Sequence, residues 1–172
     1  MSEPYQILTF IPDGVGAERA MTTLDQILTA DGGTIEDDCY LYLNDVAGQE
    51  LDPEPITDGG DARARLAAHP TLGSINYVMP EAMVTLTLHG AGGRVNCVSL
   101  SIPQRTFDNG GEPTRARYEQ LARALHEGLA ATRTIFDWGI EARGLEPAAE
   151  LARLRRGERA GDYALDLLRP AG

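Results

Sequence analysis

Lysine is absent from this 172-residue chain: all fifteen of its basic residues are arginine. That excludes mechanisms built on a side-chain amine, among them Schiff-base catalysis and the lysine of a phosphate-binding P-loop. Cysteine is scarce. Cys39 and Cys97 both sit in apolar, β-like surroundings and read as free thiols of a reducing compartment. A disulfide needs an oxidising one, and the N-terminal MSEPYQILTF carries neither the basic nor the apolar region of a secretory signal. No apolar run approaches the roughly 20 residues of a membrane span. A cytoplasmic protein is expected.

Chemistry-bearing spacings are missing as well. His69, His89 and His126 form no HxH, HxxxH or HExxH pattern. His89 reads as an exposed cross-strand residue of a hairpin and His126 as a boundary residue on the flank of a helix. The stretches Asp31–Asp38 (DGGTIEDD) and Asp58-Gly-Gly-Asp61 lack the ligand alternation and closing glutamate of an EF-hand. Gly14-Val15-Gly16 lacks the third glycine of a dinucleotide loop and reads as a strand-to-helix turn. Ser99 and Ser101 are not in a GxSxG elbow, and Cys97, flanked by Asn96 and Val98, reads as inert. No metal and no cofactor are expected, and the chain reads as non-enzymatic.

What the sequence has in excess is acid, unevenly placed. Residues 1–62 hold fourteen Asp and Glu against Arg19 alone, a net of −13, whereas residues 63–172 hold twelve acids and fourteen arginines, a net of +2. Within Glu36–Asp61 there are nine acids and no base: Glu36, Asp37, Asp38, Asp45, Glu50, Asp52, Glu54, Asp58 and Asp61. Such a field repels phosphate, which disfavours nucleic acid and anionic membranes as partners, and it attracts basic protein surfaces.

The length suits one domain spanning 1–172, with a long acidic loop at about 44–60 and a less defined tail at 145–172. Tyr5–Ile11 reads as a strand, followed by a turn in which Asp13 is placed to cap a helix over Ala17–Ala30, whose Ala17, Met21, Leu24 and Leu28 share a face. Cys39–Leu43 alternates, with Leu41 and Leu43 on one side and Tyr40 and Tyr42 on the other. A short helix is expected over Asp61–His69, with Asp61 near its N-cap. Leu72–Met79, Met83–His89 and Arg94–Ile102 read as consecutive strands, the last two joined across Gly90–Gly93. Pro103–Pro113 reads as a loop. The longest helix is expected over Thr114–Trp138, with Tyr118, Leu121, Ala122, Leu125, Leu129, Thr132 and Phe136 in one stripe and Trp138 closing the core at its end. A short helix follows at Ala148–Arg156 and a last strand at Asp162–Leu168. Clustered strands with segregated helices predict an α+β fold: one mainly antiparallel sheet, with the two longer helices packed on its apolar face. Its other face, with Tyr40, Tyr42, Thr85, Thr87 and Ser99, is expected to stay open to solvent.

The acidic block, the hairpin Val84–Ile102 and the long helix after it give this chain a layout that resembles the immunity proteins of bacterial polymorphic-toxin and contact-dependent systems. The resemblance implies a non-enzymatic module that binds and neutralises a basic cognate toxin, acting as a monomer rather than a homodimer. It shares no motif, so the candidate partner-binding residues come from the charge and the tyrosine face: Asp37, Asp38, Tyr40, Tyr42, Asp45, Glu50, Asp52, Glu54, Asp58 and Asp61. The alternatives are an acidic secretion-effector chaperone, which would dimerise, and a small enzyme with a cleft joining His89 to an acid or to Cys97.

Overall fold

A computed structural model describes residues 2–35, 40–43, 51–56, 58–69 and 73–169. The fold is α+β, with four helices and one mainly antiparallel sheet among the described residues. The strands are β1 (Tyr5–Gly16), β2 (Thr34–Ile35), β3 (Tyr40–Leu43), β4 (Glu54–Pro55), β5 (Gly73–Val78), β6 (Met83–Ala91), β7 (Arg94–Ile102), β8 (Arg133–Trp138) and β9 (Leu165–Leu168). Their spatial order is β4-β3-β5-β6-β7-β1-β8-β9, with β2 paired to β5. The helices are α1 (Ala17–Ala30), α2 (Gly59–Ala68), α3 (Gln104–Gly128) and α4 (Pro147–Arg155).

Period-2 alternation in the strands sorts side chains between two faces. Ile75 and Tyr77 of β5, Val84, Leu86 and Leu88 of β6, and Val98, Leu100 and Ile102 of β7 enter one core. Leu24 and Leu28 of α1, Leu66 of α2, Leu121 and Leu125 of α3 and its C-cap Leu129 meet them there. The hairpin and the long helix therefore bury the residues that their periodicity marks. Tyr77 donates to Asp25 Oδ1 at 2.8 Å, and Arg63 lies 3.4 Å from the same oxygen, so β5, α1 and α2 are tied at one carboxylate.

Local structure departs from the sequence expectation in several places. β1 does not stop at Ile11. It irregularly shifts register after Phe10 and resumes against β7 at Val15 and Gly16, and the Ala17 amide donates to the Gly93 carbonyl at 2.8 Å. The strand itself leads into α1, whose N-cap is Gly16, and Asp13 caps nothing. Likewise α2 starts earlier than expected: Asp58 is its N-cap and accepts from the Asp61 amide at 2.8 Å. The segment expected as a loop before α3 is helical, because Phe107 drops into an aromatic cluster with Tyr5, Tyr118 and Phe136. α3 kinks at Gly111, whose φ of 63° only glycine adopts at little cost, and resumes around Pro113.

The largest correction concerns Arg133–Trp138, expected as the end of the long helix and found as strand β8 between β1 and β9. The helix ends with Ala130 at a φ of 50°, while the Ala131 amide donates to the His126 carbonyl at 2.9 Å, the six-to-one bond of a Schellman cap. Alanine stands where glycine would have announced the stop. Thr132 and Phe136 continued the helical stripe only by coincidence of spacing. Trp138 consequently ends a strand and is partly exposed, its Nε1 donating to Gln104 Oε1 at 3.0 Å.

Residues 139–164 cover part of the second sheet face. Ile140, Leu145 and Leu151, with Leu154 and Tyr163 beside them, close over Leu8, Phe10, Cys97 and Ile135 of the β7–β1–β8 half. One buried arginine pins this layer. Arg133, fully buried on β8, sends Nε and Nη2 to the Asp166 carboxylate at 3.0 and 2.8 Å and Nη1 to Glu150 Oε1 at 2.7 Å. Its remaining donors reach the carbonyls of Ala160 and Gly161 at 2.9 and 3.3 Å, so all five are satisfied. Burial works against the charge, but the hydrogen bonds and fields of Asp166 and Glu150 outweigh it and hold the guanidinium protonated even more firmly than in water. Tyr163 is stacked by two guanidinium groups, those of Arg133 and Arg143, each 5.4 Å from its ring centre.

Candidate partner-binding surface

Among the described residues, 139–164 cover the β7–β1–β8 side, and none forms a second layer over β3, β5 and the Met83 end of β6. The tyrosines lie here. Leu41 and Leu43 point into the core, so Tyr40 and Tyr42 point outward, and Tyr42 lies beside Ser74 of β5. Ser74 pairs with Thr87, and Asn76 pairs with Thr85, whose hydroxyl donates to Asn76 Oδ1 at 2.9 Å. Further along, Val78 and Met83 face each other across β5 and β6. Tyr40, Val78 and Met83 are 48%, 41% and 46% exposed, so three large apolar groups stand in water on one face of neighbouring strands. Val78 and Met83 were not among the candidates drawn from the sequence. Ser99, which was placed on the open face, is buried at the margin of the C-terminal layer.

The acidic candidates separate. Glu36, Asp37, Asp38, Asp45 and Glu50, with Cys39, lie outside the described residues. Asp52 is exposed. Glu54 follows the inward alternation of β4 opposite Leu41 and pairs with Arg65 of α2. Arg65 also lies 3.6 Å from Asp61, and Asp58 caps the same helix. Glu54, Asp58 and Asp61 therefore serve α2 on the helical side of the sheet, away from Tyr40 and Tyr42. Arg65, just beyond the base-free stretch in sequence, folds back against it, whereas Arg63 turns to Asp25 of α1.

His89 and Cys97 are paired neighbours on β6 and β7. His89 is more covered than an exposed hairpin residue, and its Nε2 is buried with no hydrogen-bond partner among the described residues. Burial lowers its pKa, with Glu141 opposing the shift. Burial also pushes the Cys97 thiol far up, and Glu141 adds to that, so the nucleophilic thiolate is suppressed at neutral pH. Four surface cavities of about 280, 340, 260 and 420 Å³ lie elsewhere, lined by neither residue. Among the described residues no three His, Cys, Asp or Glu side chains are grouped as a metal site would require. No described helix is long and apolar enough to cross a membrane.

His126 is buried rather than at a boundary, because β8 returns beneath α3: its Nδ1 lies 2.9 Å from Thr134 Oγ1, which lies 3.3 Å from Thr9 Oγ1. Burial lowers its pKa first, the Arg169 charge lowers it further, and Glu127 opposes both. Both shifted histidines thus favour the neutral form when folded. An unfolded histidine takes up its proton near pH 6.5, so their contribution to stability is fully present above that pH and is lost as pH falls below it. The urea midpoint should drop between pH 7.5 and 5 under constant ionic strength, and His126→Gln should shrink the drop. A midpoint that holds level or rises over this range would contradict the buried neutral state.

Comparisons of this chain with family models, with curated proteins and with solved structures return no match.

Proposed function

We propose that the chain is a non-enzymatic inhibitor of the immunity type, which binds and neutralises a basic cognate toxin. The observation that carries this reading is the uncovered sheet face bearing Tyr40, Tyr42, Val78 and Met83 on a protein of net charge −11. Tyrosines on a rigid scaffold anchor partners at little entropic cost, and rim charges speed encounter. In sequence Asp38 is two residues from Tyr40 and Asp45 three from Tyr42, and salt screens such charges over a Debye length of about 8 Å at physiological ionic strength.

The test begins with the product of the adjacent gene, expressed alone and together with this protein. Growth arrest that co-expression relieves, with a one-to-one complex in solution, supports the reading. An adjacent product that is harmless, or whose toxicity this protein leaves untouched, defeats it. A tight homodimer with no toxin bound would favour the secretion-chaperone alternative. Kinetics should then divide the surface. Converting Asp37, Asp38, Asp45, Glu50 and Asp52 to their amides, which leaves the Glu54–Arg65 pair intact, should slow association and flatten its salt dependence while the melting temperature stays put. Tyr42→Ala should chiefly speed dissociation. Equal association rates for the amide variant and the parent at low salt would reduce the acidic block to a solubilising surface.

A further inference from the structure

We infer that Val78 and Met83 are the apolar anchors of this docking surface, and that its occupant is a basic amphipathic segment of a partner protein lying across β5 and β6 beside the C-terminal layer. The inference rests on the immunity-type reading and names the chemistry of its contact.

Three observations carry it. Val78 and Met83 are directly paired, so their Cβ atoms stand about 5 Å apart and form one contiguous spot rather than two stray exposures. Their neighbours in sequence, Tyr77 and Val84, are fully buried, so the outward direction of both side chains is set by the core and not by surface choice. The same sheet face is already covered over β7, β1 and β8 by Ile140, Leu145 and Leu151, with α4 packed on β1. That layer shows how the surface accepts a helical segment, and among the described residues it stops short of β5 and of the Met83 end of β6.

Charge selects among occupants. A second copy would bring a net charge of −11 against −11. A basic segment gains from that field, while its apolar side meets Val78, Met83 and Tyr40, and its polar atoms meet the hydroxyls of Thr85 and Thr87 and the Asn76 amide. The competing place is the groove between α1 and α3, lined by Ile27, Ala30, Leu121 and Ala124 on the opposite layer.

The probe is a helical peptide of leucine on one side and lysine on the other, with a leucine/glutamate peptide as control, titrated into the full chain and followed by amide NMR. The lysine peptide should shift Tyr42, Ser74, Asn76, Thr85 and Thr87, and the glutamate peptide should shift nothing. The double substitution Val78→Ser, Met83→Ser should weaken binding about tenfold, whereas Ala124→Ser should bind as the parent does. Both variants change exposed positions and should melt with the parent, which removes misfolding as an explanation. Absence of lysine-peptide binding, shifts confined to α1 and α3, or unchanged affinity in the double variant overturns the inference. If the double variant also neutralises the adjacent toxin as well as the parent, the immunity reading stands and this surface falls. If no toxin is neutralised yet the peptide result holds, the surface stands and the reading falls.

Discussion

Arg133→Ala should cost about 3–5 kcal/mol, the range for removing one partner from a buried ion pair. The cost arises less from losing the arginine than from what remains. Glu150 is fully buried and would keep only Arg153, 3.2 Å from its other oxygen and one-third exposed. Asp166 would keep only Arg159 at 3.8 Å. The carbonyls of Ala160 and Gly161 would lose their donors. For a chain of this size a loss of that order lowers the melting temperature by roughly 10 °C. Adding Glu150→Gln should recover part of the loss, since the stranded charge is then gone, and the two effects will not add. Hydrogen exchange should localise the damage: amides of α4 and β9 should exchange faster, while those of α1, β5 and β6 should not change beyond the global shift. A loss under about 1 kcal/mol would mean that the C-terminal layer is held by its apolar contacts with Leu8, Phe10 and Ile135 rather than by the arginine.

Leu125→Ala should cost about 2–5 kcal/mol, the range for a leucine removed from a packed core. Leu125 is completely buried on the second limb of α3 and belongs to the core that contains Leu86, Leu100 and Phe136. β8 and β6 are rigid members of one sheet, so the surroundings have little freedom to collapse into the space, and the upper half of the range is expected. A chemical denaturation series at pH 7.5 measures it, with Leu125→Met as a volume-conserving control costing under about 1.5 kcal/mol. A loss below ~0.5 kcal/mol would place this helix face outside the core. Arg133 and Leu125 sit on opposite layers of the sheet, so their costs should add within about 0.5 kcal/mol if the layers are independent.

Some of this architecture can be read from residues close together in the chain. Ala17, Met21, Leu24 and Leu28 make α1 amphipathic whatever surrounds it. Val84 to Leu88 and Val98 to Ile102 alternate cleanly, and Gly92 and Gly93, at φ of 61° and 76°, supply a two-residue turn that sets their register. The acidic bias of the first third is likewise a property of composition. These features need only local periods, turn chemistry and counting.

Others depend on contacts made across long stretches of chain. β8 fits a helical stripe as well as a strand, and its pairing with both β1 and β9 decides the matter, after a helix stop built on Ala130 instead of glycine. Arg133 reads as one more surface arginine until Glu150 and Asp166, 17 and 33 residues away, surround it. His89 reads as exposed until the C-terminal layer covers its neighbours. The candidate site divides on the same principle. Tyr40 and Tyr42 face outward as their alternation requires, but Glu54, Asp58 and Asp61 are drawn to α2 by Arg65 and by the helix N-terminus. Val78 and Met83 carry no signal of their own, because an apolar residue in a strand looks the same whichever way it points. Their exposure follows from the burial of Tyr77 and Val84, and from a second layer that, among the described residues, ends before it reaches them.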